Sequence, residues 1–241
     1  MSALFIRNRA ARLALDLLRE GPGFEDVEAT LRKVDPDFAA FYHALACDAG
    51  LEDDTAADRA AAALLQFASV QLADDLADGD CTYLPDAQRT GPGCAWLLHH
   101  LFFVAARRGG VPASALEEAA RDLAAVGAAQ QIEVRTSRWD LAGARAAAIG
   151  LNASQHRAYF RLVLAGSPLG SGAAEAGYDF GFALHVCGDR LKGDQRWSNL
   201  DEPARQELAS DALGAAQRLT ASPSPALREQ AAWFLTVLRQ T

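Results

Sequence analysis

The sequence predicts an all-α protein, a single helical domain spanning residues 1–241. Three observations carry that expectation. The chain is rich in Ala and poor in β-branched residues, and aromatics make up only 8% of it, a composition that favours helix over strand. Apolar residues recur at helical spacing in one segment after another. No run reads as a strand, and no fixed-period repeat is present.

The elements follow in order. Residues 3–20 place Leu4, Leu13, Leu15, Leu17 and Leu18 among charged residues, and Gly21-Pro22-Gly23 ends that helix. Phe24 to Val34 reads as a short second helix. Asp35 is set to cap a third, with Pro36 at its first position and Phe38, Phe41, Tyr42 and Leu45 on one side. Asp53-Asp54-Thr55 offers a cap for a long helix that is apolar nearly all round from Ala60 to Leu72 and therefore central. Residues 79–93, with Pro85, Gly91, Pro92 and Gly93, read as a long loop or flap.

A buried helix is expected from Cys94 to Arg107. The next is capped by Ser114, with Glu117 at capping-box spacing, and runs to about Glu133. Residues 136–154 read as less regular. Ser154 opens a helix that breaks at Gly166-Ser167-Pro168. Another spans about Glu175 to Leu191, then residues 193–199 form a polar turn. Two more helices end at Leu219 and Gln240.

Half of the residues are apolar, enough for a sizeable core, and the formal net charge is −8. That charge argues against broad binding to a nucleic-acid backbone. A small anionic substrate remains compatible with it, because a metal ion supplies local positive charge. Cys47, Cys81, Cys94 and Cys187 show no CxxC spacing. They read as buried free thiols in a reducing compartment, not as a zinc or disulfide framework. With no leader pattern at Met1–Arg7 and no apolar run of membrane-spanning length, the expectation is a soluble cytoplasmic protein.

The stretch that organises the rest is Gln71-Leu72-Ala73-Asp74-Asp75-Leu76-Ala77-Asp78. On a helix Asp74 and Asp78 lie one turn apart on the same face, with Asp75 next round. Clustered carboxylates beside an apolar segment repel each other and are costly to desolvate. Acids at a helix C-terminus also oppose its dipole. Mg²⁺ relieves the repulsion and the desolvation cost, since it takes oxygen ligands and bridges carboxylates to a phosphate. The competing reading is a helix end running into a solvated acidic turn at Asp78-Gly79-Asp80.

An Ala-rich helical chain with this Asp-Asp-x-x-Asp stripe resembles the class I isoprenoid synthase superfamily, and within it the trans-prenyl diphosphate synthases. The resemblance extends over roughly Leu64 to Asp194. Arg89-Thr90-Gly91 stands near the place of the family's Arg-Arg-Gly, and Gln130-Gln131-Ile132-Glu133 is similar to its Gly-Gln-x-x-Asp. Gly166-Ser167 falls where the family has Lys-Thr. Gly181 to Lys192 is similar to the helix of the second acidic motif, with His185 for Gln, Gly188 for the first Asp, Asp189 kept, and Lys192 for the last Asp. The first motif is whole and the second degenerate. No Gly-Gly-Lys-Arg-type stretch is found near the N-terminus.

The resemblance implies a helical bundle around a central apolar cavity and Mg²⁺ as cofactor. It implies Asp74, Asp75, Asp78 and Asp189 as metal ligands, Asp74 and Asp78 being catalytic. Arg89, Gln130, Glu133 and Lys192 would bind a prenyl diphosphate, with Ser69 and Val70 on the cavity floor. A homodimer or a partner synthase goes with the family, with no nucleic acid and no integral membrane segment. Each residue also has a plainer reading. Asp189 pairs with Arg190 or Lys192 at a solvated helix end, Arg89 is a solvated loop residue, Gln130 and Glu133 form a polar stripe, and His185 is a core histidine. Three functions stay open: ionisation-initiated prenyl transfer, a non-catalytic homologue that binds prenyl diphosphate or modulates a partner, and a squalene or phytoene synthase-like condensation.

Overall fold

The computed structural model describes residues 3–18, 22–34 and 36–239. Among these every regular element is helical. Two compact units divide the chain, residues 1–112 and 113–241. Asp35, Gly21 and Gln240, expected at a cap, a break and a helix end, lie outside the described residues.

The first unit holds α1 (Ala3–Leu18), α2 (Pro22–Lys33), α3 (Pro36–Asp48), α4 (Asp53–Asp78) and α5 (Ala87–Arg108). α4 is its axis and packs along α5, α3 and α1. A run of Ala and Leu from Ala56 to Leu72 is buried, as its lack of a polar face requires. The N-terminal end of the helix is fixed by two arginines. Arg9 of α1 pairs with Asp54 and Asp58 at 2.9 and 2.7 Å. The buried Arg59 donates to the carbonyl of Gly109 at 2.7 Å. The cap residue of α4 is Glu52, and Asp53 and Asp54 fill its first turn instead, where acids complement the helix dipole.

The expected long loop after α4 is much shorter. α5 begins at Ala87, so Arg89, Thr90, Gly91 and Pro92 are helical. The glycine signal had a packing cause rather than a turn cause. A Cβ on Gly91 would stand 2.7 Å from Cδ2 of Leu76, so glycine lets α5 press against the end of α4. Pro92 forgoes one helical hydrogen bond at an exposed position.

The second unit contains α6 (Ala113–Glu133), α7 (Leu141–Ala148), a π-helical turn (Ile149–Ala153), α8 (Ser154–Leu164), a 3₁₀ turn (Gly170–Gly172), α9 (Ala173–Lys192), α10 (Gln195–Ser198), α11 (Glu202–Leu219) and α12 (Pro225–Arg239). α6 starts one residue before Ser114, which therefore lies inside the helix rather than capping it. The stretch expected to be irregular is largely helical. Asp140 caps α7 by accepting from the backbone N–H of Gly143 at 2.7 Å, a single-residue signal. Ser154 is no cap either, because the chain passes helically from α7 through the π turn into α8. Its hydroxyl donates back to the Ile149 carbonyl at 2.9 Å.

α9 lies against α8 and the π turn. Gly181 makes this contact possible, since a Cβ there would fall 2.2 Å from the Asn152 carbonyl oxygen. The polar turn at 193–199 carries the short α10, capped by Asp194. Asp201 caps α11 by accepting from Ala204 N–H at 3.0 Å. No helix among the described residues is long and apolar enough to cross a membrane.

Candidate functional site

In the first unit the acids fall at the C-terminal end of α4, whose last turn carries no basic residue. Asp74 and Asp75 are half-buried and Asp78 is exposed. Asp75 is held from both sides. Gln71, one turn earlier, donates to its Oδ1 at 2.8 Å, and the Tyr83 hydroxyl donates to its Oδ2 at 2.9 Å. The Asp75 carbonyl also accepts from the N–H groups of Asp80 and Cys81, at 2.8 and 3.1 Å. One residue thus ends the helix and folds residues 79–86 back upon it. Burial, followed by the bond to Asp75, raises the Tyr83 hydroxyl far above its ordinary pKa, so Tyr83 stays a donor. Two donors hold the Asp75 carboxylate in a defined orientation.

Arg89 is exposed in the first turn of α5, not on a loop. Ser69 is buried, and its hydroxyl donates to the Ala95 carbonyl at 2.9 Å. It stitches α4 to α5. The residues that sequence reasoning missed here are Gln71 and Tyr83. The spacing of Gln71 to Asp75, four residues on a helix, was the legible part of that signal.

In the second unit Glu133 and Asp189 come together through a residue absent from the sequence expectations. Arg196 donates to both oxygens of the buried Asp189, at 3.1 and 3.2 Å. It also contacts the Glu133 carboxylate and pairs with Asp194 at 3.2 Å. Its guanidinium lies 6.0 Å from the Trp139 ring centroid, within cation–π range. His185 Nε2 faces Asp189 at 3.3 Å from one turn back, and His185 is buried, as its core reading requires. Asp189 therefore pairs with neither Arg190 nor Lys192. Arg190 donates instead to the Leu238 carbonyl at 3.0 Å, and Lys192 is exposed at the end of α9. Gln130 is half-buried on α6, one turn before Glu133.

A guanidinium among three carboxylates does electrostatically what a divalent cation does elsewhere. It neutralises clustered acids with oriented, charge-assisted hydrogen bonds. The signal for Arg196 was faint, because a polar turn of Gly, Asp, Gln and Asn reads as solvated.

The second unit also carries an open cleft of about 350 Å³, lined in part by Arg145, Tyr178, Asp179, Phe182, Asp211 and Arg218. None of the sequence-predicted site residues lines it. Arg218 grips Asp179 at 2.6 and 2.8 Å, and Arg145 grips Asp211 at 2.5 and 2.9 Å. Its charges are thus satisfied internally. The thiols divide as well. Cys94 and Cys187 are buried, as expected, but Cys47 is exposed and Cys81 half-buried.

No family model matches the chain, and no curated protein matches it. Solved structures do. An isoprenoid synthase family member from Thermotoga neapolitana is 18% identical, with 96% of each chain covered and a TM-score of 0.70. A geranyltranstransferase from Thermotoga maritima is 16% identical, covering 98% of this chain and 97% of that one at a TM-score of 0.70. A geranylgeranyl pyrophosphate synthetase from the archaeon Geoglobus acetivorans is 12% identical, covering 99% and 98% at a TM-score of 0.67.

Proposed function

The chain has the all-α fold of the isoprenoid synthases, and from that premise we propose that it is a Mg²⁺-dependent enzyme acting on an allylic prenyl diphosphate. The reaction class is chain elongation or another step begun by loss of the diphosphate. One observation carries this reading: Asp74 and Asp78 stand a helical turn apart at the end of the buried helix α4, with no basic residue in that turn. The donor set suits the ion, because carboxylate oxygens are what Mg²⁺ takes. Asp74, Asp75 and Asp78 would hold it. Held there, it would supply positive charge for a leaving diphosphate.

The chain's own residues do the rest. Gln71 and Tyr83 fix the Asp75 carboxylate before any ligand arrives, which lowers the ordering cost of binding. Arg89, in the first turn of the next helix, and Lys192 are assigned to diphosphate oxygens, and Gln130 and Glu133 to the substrate. Asp189 is the one further metal ligand in this assignment, and there a cation has to compete with Arg196. We take residues 1–241 to work as one isoprenoid-synthase domain in the cytoplasm, as a homodimer or beside a partner synthase.

A second reading has its own support. The engagement of Asp189 and Glu133 by Arg196 favours a non-catalytic homologue that binds a prenyl diphosphate without turning it over. Thermal melting separates the outcomes. Mg²⁺ and geranyl or farnesyl diphosphate together should raise Tm, with little effect from either alone. A product assay with and without isopentenyl diphosphate follows. Joint stabilisation with product supports the enzyme. Joint stabilisation without product supports the binder. No stabilisation under any pairing defeats both.

A further inference from the structure

The first unit contains a second group of metal-ligating side chains, remote in sequence from the acidic stripe. His43 and Cys47 lie one turn apart on α3, and Asp53 opens α4 just beyond the turn at 49–52. Among the described residues this is the group of three His, Cys, Asp or Glu whose ligand atoms all lie within 4.8 Å of one another. His43 is buried, while Cys47 and Asp53 reach the surface.

The distances discriminate between two chemistries. His43 Nε2 lies 3.0 Å from Asp53 Oδ1 and 3.7 Å from Cys47 Sγ. Zinc–ligand bonds of about 2.0–2.3 Å in a tetrahedron put nitrogen and oxygen about 3.4 Å apart, and nitrogen and sulfur about 3.6 Å apart. The observed nitrogen–sulfur edge of 3.7 Å matches, and the nitrogen–oxygen edge of 3.0 Å is a hydrogen-bond distance that has to open slightly as the ion enters. A Cys–His–Asp proton relay needs the carboxylate on one ring nitrogen and the thiol on the other. Here Cys47 Sγ lies about equally far from the two ring nitrogens, 3.7 Å from Nε2 and 3.9 Å from Nδ1, so it is not aligned on the nitrogen opposite Asp53 as a relay requires. That placement does not make a relay, whereas the three ligand atoms lie within 4.8 Å of one another, near enough to share a cation.

The thiol is not primed as a nucleophile. Burial, then the charges of Asp53 and Asp48, raise its pKa, so without a cation it stays protonated. The same negative surroundings draw a cation in. The backbone is arranged for the contact as well, with Gly50 at φ 82° turning the chain between the two helices.

We propose that His43, Cys47 and Asp53 form a binding site for a zinc-class divalent cation, distinct from the Mg²⁺ ligands at Asp74, Asp75 and Asp78. Nε2, Sγ and a carboxylate oxygen supply three ligands, and water fills the fourth position on the exposed side. Thiolate and imidazole ligands select zinc or cobalt over magnesium. The Cys47 proton leaves to solvent as the metal–sulfur bond forms. The ion clamps the end of α3 to the start of α4.

The test uses the full chain, stripped with a chelator and titrated with Zn²⁺ or Co²⁺. One equivalent of Zn²⁺ should bind. Co²⁺ should give tetrahedral visible bands with a near-ultraviolet thiolate-to-cobalt band. Cys47→Ser should abolish the thiolate band. Both Cys47→Ser and His43→Ala should weaken Zn²⁺ binding by about 100-fold or more, beyond the roughly 10–100-fold that losing a partner outside the ligand set costs. Circular dichroism confirms that each variant is helical, and the near-isosteric Cys47→Ser guards against a folding failure of His43→Ala. Asp74→Ala should leave the cobalt spectrum unchanged, whatever becomes of the Mg²⁺ assignment. No bound equivalent, a spectrum without the thiolate band, or a band that survives Cys47→Ser would overturn the proposal.

Discussion

The Tyr83 hydroxyl donates to Asp75 Oδ2 at 2.9 Å, closing residues 79–86 onto the helix end that carries the acidic stripe. The donor is half-buried and the acceptor is a carboxylate, so the bond belongs to the stronger, charge-assisted class. Tyr83→Phe should cost about 1.5–3 kcal/mol of stability, read by urea denaturation. Protection of amides at 79–86 against hydrogen exchange should fall with it. An unchanged midpoint and exchange pattern would show that the bond does not hold the segment.

Gly91 and Leu76 offer a second test. Replacing a helical Gly by Ala ordinarily gains about 1 kcal/mol. At Gly91 the new methyl would meet Leu76 at 2.7 Å, and overpacking costs about 1–3 kcal/mol. Gly91→Ala should therefore be neutral to destabilising, and should recover its helical gain when Leu76→Ala is added. A double-mutant cycle that is additive within about 0.5 kcal/mol would deny the contact.

Why some of this was legible in sequence and some was not follows from how far each signal reaches. α4 announced itself because a run of Ala and Leu with no polar face has nowhere to lie but inside. The Asp74–Asp78 register was legible because it needs only helical geometry. Gly91 and Pro92 misled, because turn chemistry and close packing use the same residues. Asp140 is not legible as a cap, because a single capping residue has no periodic pattern behind it. Arg196 was invisible for a different reason: its partners Glu133 and Asp189 lie 63 and 7 residues away, and nothing local marks it. The separation of Cys47 from the buried thiols likewise depends on which face of α3 is covered.

The metal assignment at α4 makes a graded prediction. Asp74→Ala should lower turnover by at least about two orders of magnitude, since a metal ion supplies several kcal/mol of transition-state stabilisation. It should also abolish the joint Mg²⁺ and diphosphate increase in Tm. Tyr83→Phe leaves the acids in place and should reduce turnover less. Near-normal rates in Asp74→Ala would defeat the assignment.

Arg196 is the main counter-charge of the Asp189 and Glu133 carboxylates. Removing one partner of a buried ion pair leaves the other uncompensated, at a cost of about 3–5 kcal/mol. Arg196→Ala should lose about 3 kcal/mol in denaturant unfolding, allowing for the partial exposure of the group. Arg196→Lys should not restore it, because a lysine lacks the fork that reaches both oxygens of Asp189. Restoration by Asp189→Asn in the Arg196→Ala background would show that the uncompensated carboxylate is the cause. If Mg²⁺ substitutes for the guanidinium, Arg196→Ala should also become more stable on Mg²⁺ addition while the parent does not.

His156 gives the chain a defined acid sensitivity. It is buried on α8, with the Tyr159 and Phe180 ring centroids at 5.7 and 4.9 Å, and burial pushes its pKa from 6.5 down to about 3. The folded state therefore holds the neutral ring, whereas the unfolded chain takes up a proton below about 6.5. The stability tied to this group is complete above pH 6.5. It declines as the pH falls towards 3, by up to about 1.4 kcal/mol per pH unit. Carboxylates titrate in the lower part of that window, so the informative range is pH 6.5 to 5. There the parent should lose stability on acidification, whereas His156→Gln, less stable at neutral pH, should show a flatter profile. Parallel profiles over that range would show that His156 is accessible to protons in the folded state.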